Sequence, residues 1–496
     1  MKNDETLHPR YDEVVKKIAV IGAGWYGCHI ARVLTLEGYD VTLFESGNDI
    51  FTGISGKFGV RLHAGTHYPR SEKTRKNCRE GYAEFIKTYP NLIIKHFYSI
   101  YGLGKRDANN EPPKIDLKTF RNIGKETKNS KEIDPTKWGY SDALESALNI
   151  DEPSILIGNL LREKFKPYLA GVKIIYNFKV DKLITEKNKT LVFGNSQCHI
   201  FDEVVNTTSY QALLPPPKPS LPFELTIIYQ PCLSLIYEDR LSMGRRSLPP
   251  FSFIVIDGWF PCIMPHVADK EESGSIYRKY IVTHGKYTIM GSYKTVKEAK
   301  DCLESIDEKF VKTNVQPRCE SEMERFWPLF GTRMPDSMCR RFQYVGWEGV
   351  VLAKIKTNLE FRSAVTFKRE GVVYVIPGKV SNIFDAGRET LLLIKNKNVL
   401  EQGVYQHIKN GVLDNGVSEI TEVIDPKIRN TCNLQTYEEI TKCSNVEEKN
   451  TPSEFVRSSY QPIFGKKSNS VLFFNSPPKN SKIIIGTSDY QIRSFL

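Results

Sequence analysis

The 496-residue chain lacks the signatures of metal sites and of disulfide-bonded modules. Its ten cysteines include no C-x-x-C pair, and no H-E-x-x-H or paired His/Cys spacing occurs. We therefore expect neither a structural zinc site nor a disulfide scaffold, which fits a reducing compartment. Long apolar runs are also absent, since none approaches the roughly 20 residues that span a bilayer. A membrane-spanning helix is therefore not expected.

The first fifteen residues are polar and of mixed charge, and we interpret residues 1–15 as a short extension without a secretory leader. We expect a cytoplasmic protein. The formal net charge is +11, and the excess lies before residue 411, because residues 411–496 hold equal numbers of basic and acidic side chains. Basic clusters such as residues 69–79 indicate a solvated helix face or attraction of an anionic ligand. No nucleic-acid-binding module accompanies the charge, so nucleic acid is not an expected partner.

A glycine-rich motif stands out near the N-terminus. An apolar run at residues 18–21 leads into Gly22, Gly24 and Gly27, spaced as G-x-G-x-x-G, and a helix-like segment and a second apolar run follow. The first glycine permits a tight turn, the second lets a pyrophosphate approach the backbone, and the third lets the helix pack closely on the sheet. The helix N-terminus then favours the phosphates. The pattern predicts a dinucleotide-binding β-α-β unit.

Glu45 stands at the end of the second strand of this unit, with seventeen residues between it and Gly27. A carboxylate in this place accepts hydrogen bonds from an adenosine ribose and repels a 2′-phosphate, so NADP is disfavoured. The unit alone leaves FAD and NAD as alternatives.

The rest of the chain divides by hydrophobic pattern. Residues 51–70 form a glycine- and histidine-bearing loop, Glu72–Thr88 has helical spacing, residues 103–140 are loop-like, and residues 154–165 are predicted as a helix. Residues 225–293 contain short β-rich segments separated by turns, which is typical of an antiparallel sheet. Residues 296–311 are predicted as a helix, and residues 372–394 as a strand, a Pro-Gly turn and a helix.

These segments predict an α/β protein with a discontinuous Rossmann-type dinucleotide-binding domain and an inserted, antiparallel β-rich substrate domain. The first comprises residues 16–90, 150–215 and 350–410, and the second comprises residues 91–149 and 216–349. The proline-rich block 214–222 is a predicted linker. Residues 411–496 form a C-terminal extension, in which residues 471–475 and 482–486 are candidates for a hairpin.

Three motifs resemble the FAD-dependent oxidoreductases of the D-amino-acid oxidase type, nearest their L-2-hydroxyglutarate dehydrogenase branch. They are the glycine motif with Glu45, the segment 54–81 with its H-A-G-x-x-Y and C-x-x-G elements, and the strand and turn at 202–210. The resemblance covers residues 16–210 best. It departs at Thr207–Ser209, where the family has A-T-G, and at PGKVSN, residues 377–382, which replaces a glycine-rich segment.

The resemblance implies FAD as the cofactor and a small molecule as the substrate. Its implied cofactor contacts are Gly22, Gly24, Trp25, Tyr26, Gly27, Glu45, Ser46, Ser55, Arg61, Val180, Thr207, Gly378 and Lys379. Gly378 and Lys379 begin a helix where family members approach the pyrimidine end of the flavin, and a positive charge there favours the reduced ring.

His63, His67 and Tyr68 are the implied catalytic residues, because this loop borders the flavin in the family. A histidine can take a hydroxyl or amine proton while a hydride leaves, since its pKa is near neutrality. Arginine pairs bidentately with carboxylates, so Arg61, Arg333 and Arg362 are candidate substrate ligands, and His266 is another.

The leading hypothesis is an FAD-dependent oxidase or dehydrogenase that acts on a small amino acid, amine or 2-hydroxy acid. An NAD-dependent dehydrogenase and a non-catalytic flavin-holding interaction protein are the alternatives. No metal is expected at the site.

Overall fold

The computed structural model describes residues 15–215, 227–242, 249–269, 279–334, 339–355 and 363–395. The strands in these ranges are β1 Lys17–Ile21, β2 Asp40–Phe44, β3 Val60–Arg61, β4 Ile93–Ile94, β5 Tyr98–Gly104, β6 Lys131–Ile133, β7 Leu144–Ile150, β8 Ser154–Ile155, β9 Lys173–Ile175, β10 Val180–Glu186, β11 Lys189–Gly194, β12 Gln197–Phe201, β13 Glu203–Asn206, β14 Ile227–Asp239, β15 Phe251–Ile256, β16 Pro261–Pro265, β17 Lys279–His284, β18 Phe342–Ile355, β19 Val365–Arg369 and β20 Val372–Ile376.

The helices are α1 Trp25–Leu36, α2 Ile54–Lys57, α3 Glu72–Thr88, α4 Leu117–Glu126, α5 Gly158–Phe165, α6 Val296–Glu304, α7 Glu308–Phe310, α8 Gln316–Phe326 and α9 Ile383–Lys395. None of the helices in the described ranges is both long enough and apolar enough to cross a bilayer.

A six-stranded sheet carries the glycine motif. Its order is β19-β20-β13-β1-β2-β9, and β1 pairs in parallel with β2 and β13. The inner strands are apolar on both faces because helices pack against the sheet, as parallel sheets require. One face packs on an aromatic cluster in which Trp25 of α1 lies 5.0 Å from Phe51, 5.4 Å from Phe85 and 5.5 Å from Phe165 between ring centroids.

An eight-stranded sheet has the order β18-β14-β17-β16-β15-β5-β7-β6. Its neighbours are antiparallel except β15 and β5, which run parallel. Strands from residues 98–150 and 227–355 therefore share one sheet, and α8 packs on it through buried residues such as Met323 and Phe326. Smaller three-stranded sheets join β10-β11-β12 and β3-β8-β4.

The Rossmann-type fold with an interrupting β-rich sheet is confirmed, as are the helix at Glu72–Thr88 and the strand, turn and helix at residues 372–394. The helix predicted at 154–165 is wrong in its first turn. Ser154 and Ile155 pair with β3 and β4, and Gly158 has φ +60°, so the helix begins only there. The loop predicted at 103–140 contains α4 and β6. Most of the predicted linker, together with the C-terminal hairpin and extension, lies outside the described residues.

Candidate active site

The glycine motif forms the turn between β1 and α1 that the sequence predicts. Gly22 has φ +96°, a left-handed conformation that glycine adopts without strain. A β-carbon at Gly27 would lie 1.8 Å from the carbonyl oxygen of Gly22 and 2.6 Å from Oγ1 of Thr207. Thr207 braces the same turn, since its hydroxyl donates to the carbonyls of Ile21 and Gly22 at 2.8 and 2.9 Å. The turn is therefore tightly packed, and its glycines carry no side chain that would block the approach of a dinucleotide to the backbone.

Glu45 is fixed at the end of β2. Its carboxylate accepts the N–H groups of Ala23 and Gly47, both at 2.7 Å, and the hydroxyl of Ser46 at 3.1 Å. The N–H of Trp25, in the first turn of α1, donates to Oγ of Ser55 at 3.2 Å. The carboxylate of Glu45 can accept hydrogen bonds from a ribose, and the glycine turn and the N-terminus of α1 can donate hydrogen bonds to phosphates. These residues therefore fit the ADP half of FAD.

A cavity of about 570 Å³ adjoins α1. Nine residues predicted for cofactor binding or catalysis line it together: Trp25, Tyr26, Ser55, Arg61, His63, His67, Tyr68, Gly378 and Lys379. Residues of the eight-stranded sheet and its loops complete the wall, including Ile254, Phe260 and Met264. The cavity thus lies where the glycine-motif sheet meets the eight-stranded sheet.

Tyr26 links the glycine motif to the turn that precedes α9. Its hydroxyl accepts the N–H of Gly378 at 2.9 Å and donates to the carbonyl oxygen of Lys379 at 2.7 Å. The Lys379 ammonium lies 4.9 Å from the centroid of the Tyr68 ring, a cation–π distance. The PGKVSN turn is therefore hydrogen-bonded to α1 and lies against Tyr68.

The two predicted histidines stack on each other, with ring centroids 4.5 Å apart and an angle of 14° between the rings. Burial, the positive charge of Lys379 and that of Arg61 lower the pKa of His63 well below its ordinary value. Burial also lowers the pKa of His67, with smaller contributions from His63 and Lys379. Both imidazoles are therefore neutral at pH 7, the form in which a histidine can accept a proton.

Two residues behind His63 were missed by the sequence analysis. Nδ1 of His63 lies 3.2 Å from the Tyr101 hydroxyl and 3.4 Å from Oε2 of Glu152, and Tyr101 donates to the same Glu152 oxygen at 2.5 Å. Tyr101 lies within an apolar strand, and Glu152 lies in the short connection between β7 and β8. They are 38 and 89 positions from His63, so only the folded sheet brings them together.

Arg61 belongs to this buried group. Its Nη1 is 3.8 Å from Oε2 of Glu152, and its guanidinium carbon is 5.2 Å from the Tyr101 ring centroid. The side chain is 1% exposed, and its three nitrogens have no hydrogen-bond partner among the described residues. Arg61 is thus placed as the charge partner of Glu152, with its nitrogens covered at the wall of the cavity.

The remaining predicted residues lie elsewhere. Val180 packs in a core cluster with Phe44, and Arg333 is exposed. His266 is buried, but it does not line the cavity. Arg362 lies outside the described residues.

The basic segment 69–79 is partly buried, in contrast to the solvated face considered for it. Nη1 of Arg75 donates to the carbonyl of Pro69 at 2.8 Å, and its Nε donates to Glu126 at 3.0 Å. Nε of Arg70 donates to Asp257 at 2.9 Å. Since Pro69 follows the histidine loop, these ion pairs brace that loop.

Comparisons with known proteins agree with this geometry. The FAD dependent oxidoreductase family (DAO) matches residues 17–104. The FAD-dependent monooxygenase kojA of Aspergillus flavus is 42% identical over 432 residues, which cover 85% of this chain and 97% of that protein. The mitochondrial L-2-hydroxyglutarate dehydrogenase of Arabidopsis thaliana is 33% identical over 98 residues, 20% of each chain. Similarity to the monooxygenase is thus far more extensive than similarity to the dehydrogenase branch.

A solved structure shares the fold. Glycine oxidase from Geobacillus kaustophilus superposes with a TM-score of 0.53 and 12% sequence identity, covering 77% of this chain and 95% of that one. At this identity the likeness concerns the architecture alone.

Proposed function

The chain belongs to the DAO family of FAD-dependent oxidoreductases, and we propose that it removes a hydride and a proton from a small amino acid, amine or 2-hydroxy acid. FAD is its cofactor. The observation that carries the proposal is the pair of neutral, stacked histidines on the wall of the cavity. Family membership favours an FAD enzyme over the two alternatives considered from the sequence, an NAD-dependent dehydrogenase and a non-catalytic flavin-holding protein.

The protein residues divide the work by position. Gly22, Gly24, Gly27, Glu45 and Ser46 would hold the ADP half of the cofactor. The cavity residues Trp25, Tyr26, Ser55, Gly378 and Lys379 would hold the flavin half. Bound FAD supplies an acceptor for the hydride that leaves a substrate C–H bond.

His63 would take the proton. When the C–H bond of an alcohol or amine loses a hydride, the neighbouring O–H or N–H must lose a proton to complete the C=O or C=N bond. A neutral imidazole at the cavity wall can accept that proton. Its side chain is 12% exposed, whereas Glu152 and Arg61 are covered. His63 is therefore the better placed group for contact with substrate.

Lys379 would supply a positive charge that acts on both histidines and on the cofactor. Its ammonium lies over Tyr68 and lowers the pKa values of both histidines. It adds to burial, the larger cause, in keeping them neutral, and it would also favour negative charge on the part of the cofactor beside it.

Oxygen insertion is a second candidate, supported by the name of the Aspergillus relative, a monooxygenase. A monooxygenase that does not draw electrons from its substrate needs NADH or NADPH, and it puts one oxygen atom of O₂ into product and the other into water. The oxidase and dehydrogenase reactions need neither reductant.

The two functions separate in one assay. The holoenzyme is offered amino acids, amines and 2-hydroxy acids, with and without NADPH or NADH, and oxygen or dye reduction is recorded. The proposal predicts turnover with no added nicotinamide. Turnover that requires NAD(P)H and incorporates ¹⁸O from ¹⁸O₂ would establish the second candidate instead.

A further inference from the structure

We propose that Glu152 and Tyr101 are positioning residues that hold the proton of His63 on Nδ1, so that Nε2 presents a lone pair to substrate. The inference deepens the proposed function and depends on it only for the identity of the reaction. Its structural part, the tautomer of one buried imidazole, can be tested without turnover.

Glu152 lies beside the buried guanidinium of Arg61. Its side chain is fully buried, and burial raises the pKa of its carboxyl, whereas the Arg61 guanidinium, the Tyr101 hydroxyl and the Ala64 N–H oppose that change. Arg61 is also buried and cannot lose its proton. A neutral Glu152 would leave that cation uncompensated, which is strongly unfavourable. Glu152 is therefore the anion of a buried ion pair.

Two oxygen atoms, one of Tyr101 and one of Glu152, lie close to Nδ1 of His63. An ionised Glu152 only accepts hydrogen bonds, and Ala64 N–H occupies its Oε1 at 2.6 Å. Tyr101 O–H donates to Oε2 at 2.5 Å, so the Tyr101 oxygen is left as an acceptor toward His63. Both atoms close to Nδ1, at 3.2 and 3.4 Å, are then acceptors. Nδ1 must therefore be the N–H of the neutral ring, which places the lone pair on Nε2.

His67 provides an internal contrast. It lies parallel to His63, but its buried Nδ1 has no hydrogen-bond partner among the described residues. No neighbouring acceptor fixes its tautomer. Of the two imidazoles on this loop, only that of His63 has its tautomer fixed by neighbouring acceptors. His63 is therefore the better proton acceptor, as in catalytic dyads in which a carboxylate orients a histidine.

The consequence for the reaction is electrostatic. The substrate O–H or N–H bond breaks and its proton forms a bond with Nε2, while bound FAD would supply the acceptor for the hydride of the adjacent C–H bond. The imidazolium that results is stabilised by Glu152 through Nδ1–H, while Glu152 itself stays ionised. Arg61, Lys379 and His67 face the same ring and oppose its charge, so Glu152 is the anionic counterweight among the described neighbours.

The direct test is the tautomer in the holoenzyme. Protein labelled with ¹⁵N-histidine is examined by long-range ¹H–¹⁵N correlation at neutral pH, and His63→Gln identifies the signals of His63 by their loss. We expect an N–H at Nδ1 and an unprotonated Nε2. In Glu152→Gln the amide oxygen keeps the Ala64 bond and the NH₂ turns toward Nδ1, so the proton should move to Nε2. Wild-type protein with the proton on Nε2, or with both nitrogens protonated, would overturn the inference.

The kinetic test uses matched variants. Glu152→Gln should retain FAD and KM but lose about 10²–10⁴-fold in kcat, and Glu152→Asp should restore part of the loss. The control is Glu132→Gln, at a side chain 44% exposed, which should behave as wild type. Unchanged kcat in a folded Glu152→Gln protein would contradict the positioning role.

Tyr101→Phe covers the case in which Glu152→Gln does not fold. It keeps the charge of Glu152 but removes the nearer acceptor of Nδ1, so the Nδ1–H signal should weaken and kcat should fall less than in Glu152→Gln. A Tyr101→Phe protein with unaltered His63 signals and unaltered kcat would also contradict the inference. If the tautomer is as proposed but His63→Gln turns over normally, the base assignment under the proposed function fails instead.

Discussion

Gly27 shows how strictly one residue can be determined by its surroundings. A β-carbon there would lie 1.8 Å from a backbone oxygen, a contact that only movement of the glycine turn can relieve. We therefore expect Gly27→Ala to destabilise the protein by about 1–3 kcal/mol or more and to abolish FAD retention. Thermal unfolding and the flavin absorbance of the purified protein measure both effects.

Gly53→Ala is the matched control, because no atom lies within 4 Å of a β-carbon at that position. It should keep its flavin and its unfolding temperature. A Gly27→Ala protein that binds FAD as tightly as this control would contradict the close approach of α1 to the turn.

Lys379 allows a prediction about pH. Its positive charge disfavours protonated His63 and so lowers the pKa of that ring. The acid limb of kcat/KM should therefore lie below pH 6.5 in the wild type, and Lys379→Met should move it upward, because the imidazolium then forms more readily. Lys137→Met, at an 82% exposed side chain, should leave the limb in place. An acid limb that moves to lower pH in Lys379→Met would contradict the claim that this charge lowers the pKa of His63.

The sequence predicted several residues that line the cavity, but it did not predict Tyr101 and Glu152, which lie behind His63. Gly22, Gly27 and His63 belong to local motifs whose spacing carries information. Tyr101 lies in a strand whose sequence pattern indicates only burial, and Glu152 lies in the three-residue connection between β7 and β8. Nothing local marks either one, because their contact with His63 depends on how β5 and β7 pair in the folded sheet.

At the scale of elements, α1 and the turn before α9 are joined by one hydroxyl. The Tyr26 hydroxyl accepts the N–H of Gly378 and donates to the carbonyl of Lys379, and both bonds are partly buried. Tyr26→Phe leaves the Gly378 N–H and the Lys379 carbonyl without that partner, at a cost of about 1–3 kcal/mol. We expect a lower unfolding temperature and weaker FAD binding, measured by thermal unfolding with and without added FAD.

Tyr168→Phe serves as the comparison. Its hydroxyl donates to Asn91 at an exposed site, where water can replace the bond, so the change in stability should be small. Equal losses in the two variants would show that the Tyr26 bridge has no special importance.

The sequence predicted best those elements whose residues show a complete local pattern, independent of distant partners. The helix Glu72–Thr88 begins after Ser71, which caps it, and the local pattern suffices to find it. Residues 154–155 were misassigned because their backbone pairs with two distant strands. Tertiary pairing decided the outcome there, and a short apolar run followed by a helix cannot reveal it.

At the scale of the whole molecule, the cavity lies between a cofactor-type sheet and a sheet assembled from two separate stretches of chain. The first contributes the glycine turn and the PGKVSN turn, and the second contributes Tyr101 and the apolar wall. Discontinuity in sequence is thus what places His63 between the cavity and the buried carboxylate of Glu152. The fold class could be predicted because the interruption of one pattern by another is visible in the sequence.

The most direct test of the account is anaerobic reduction of the enzyme-bound flavin, followed by its absorbance, with a panel of amino acids, amines and 2-hydroxy acids. For the compound that bleaches wild-type enzyme, His63→Gln should keep its FAD and bleach at least about 100-fold more slowly, while His67→Gln should be affected less. Bleaching of His63→Gln at the wild-type rate would contradict the assignment of His63 as the proton acceptor, and with it the central claim about this site.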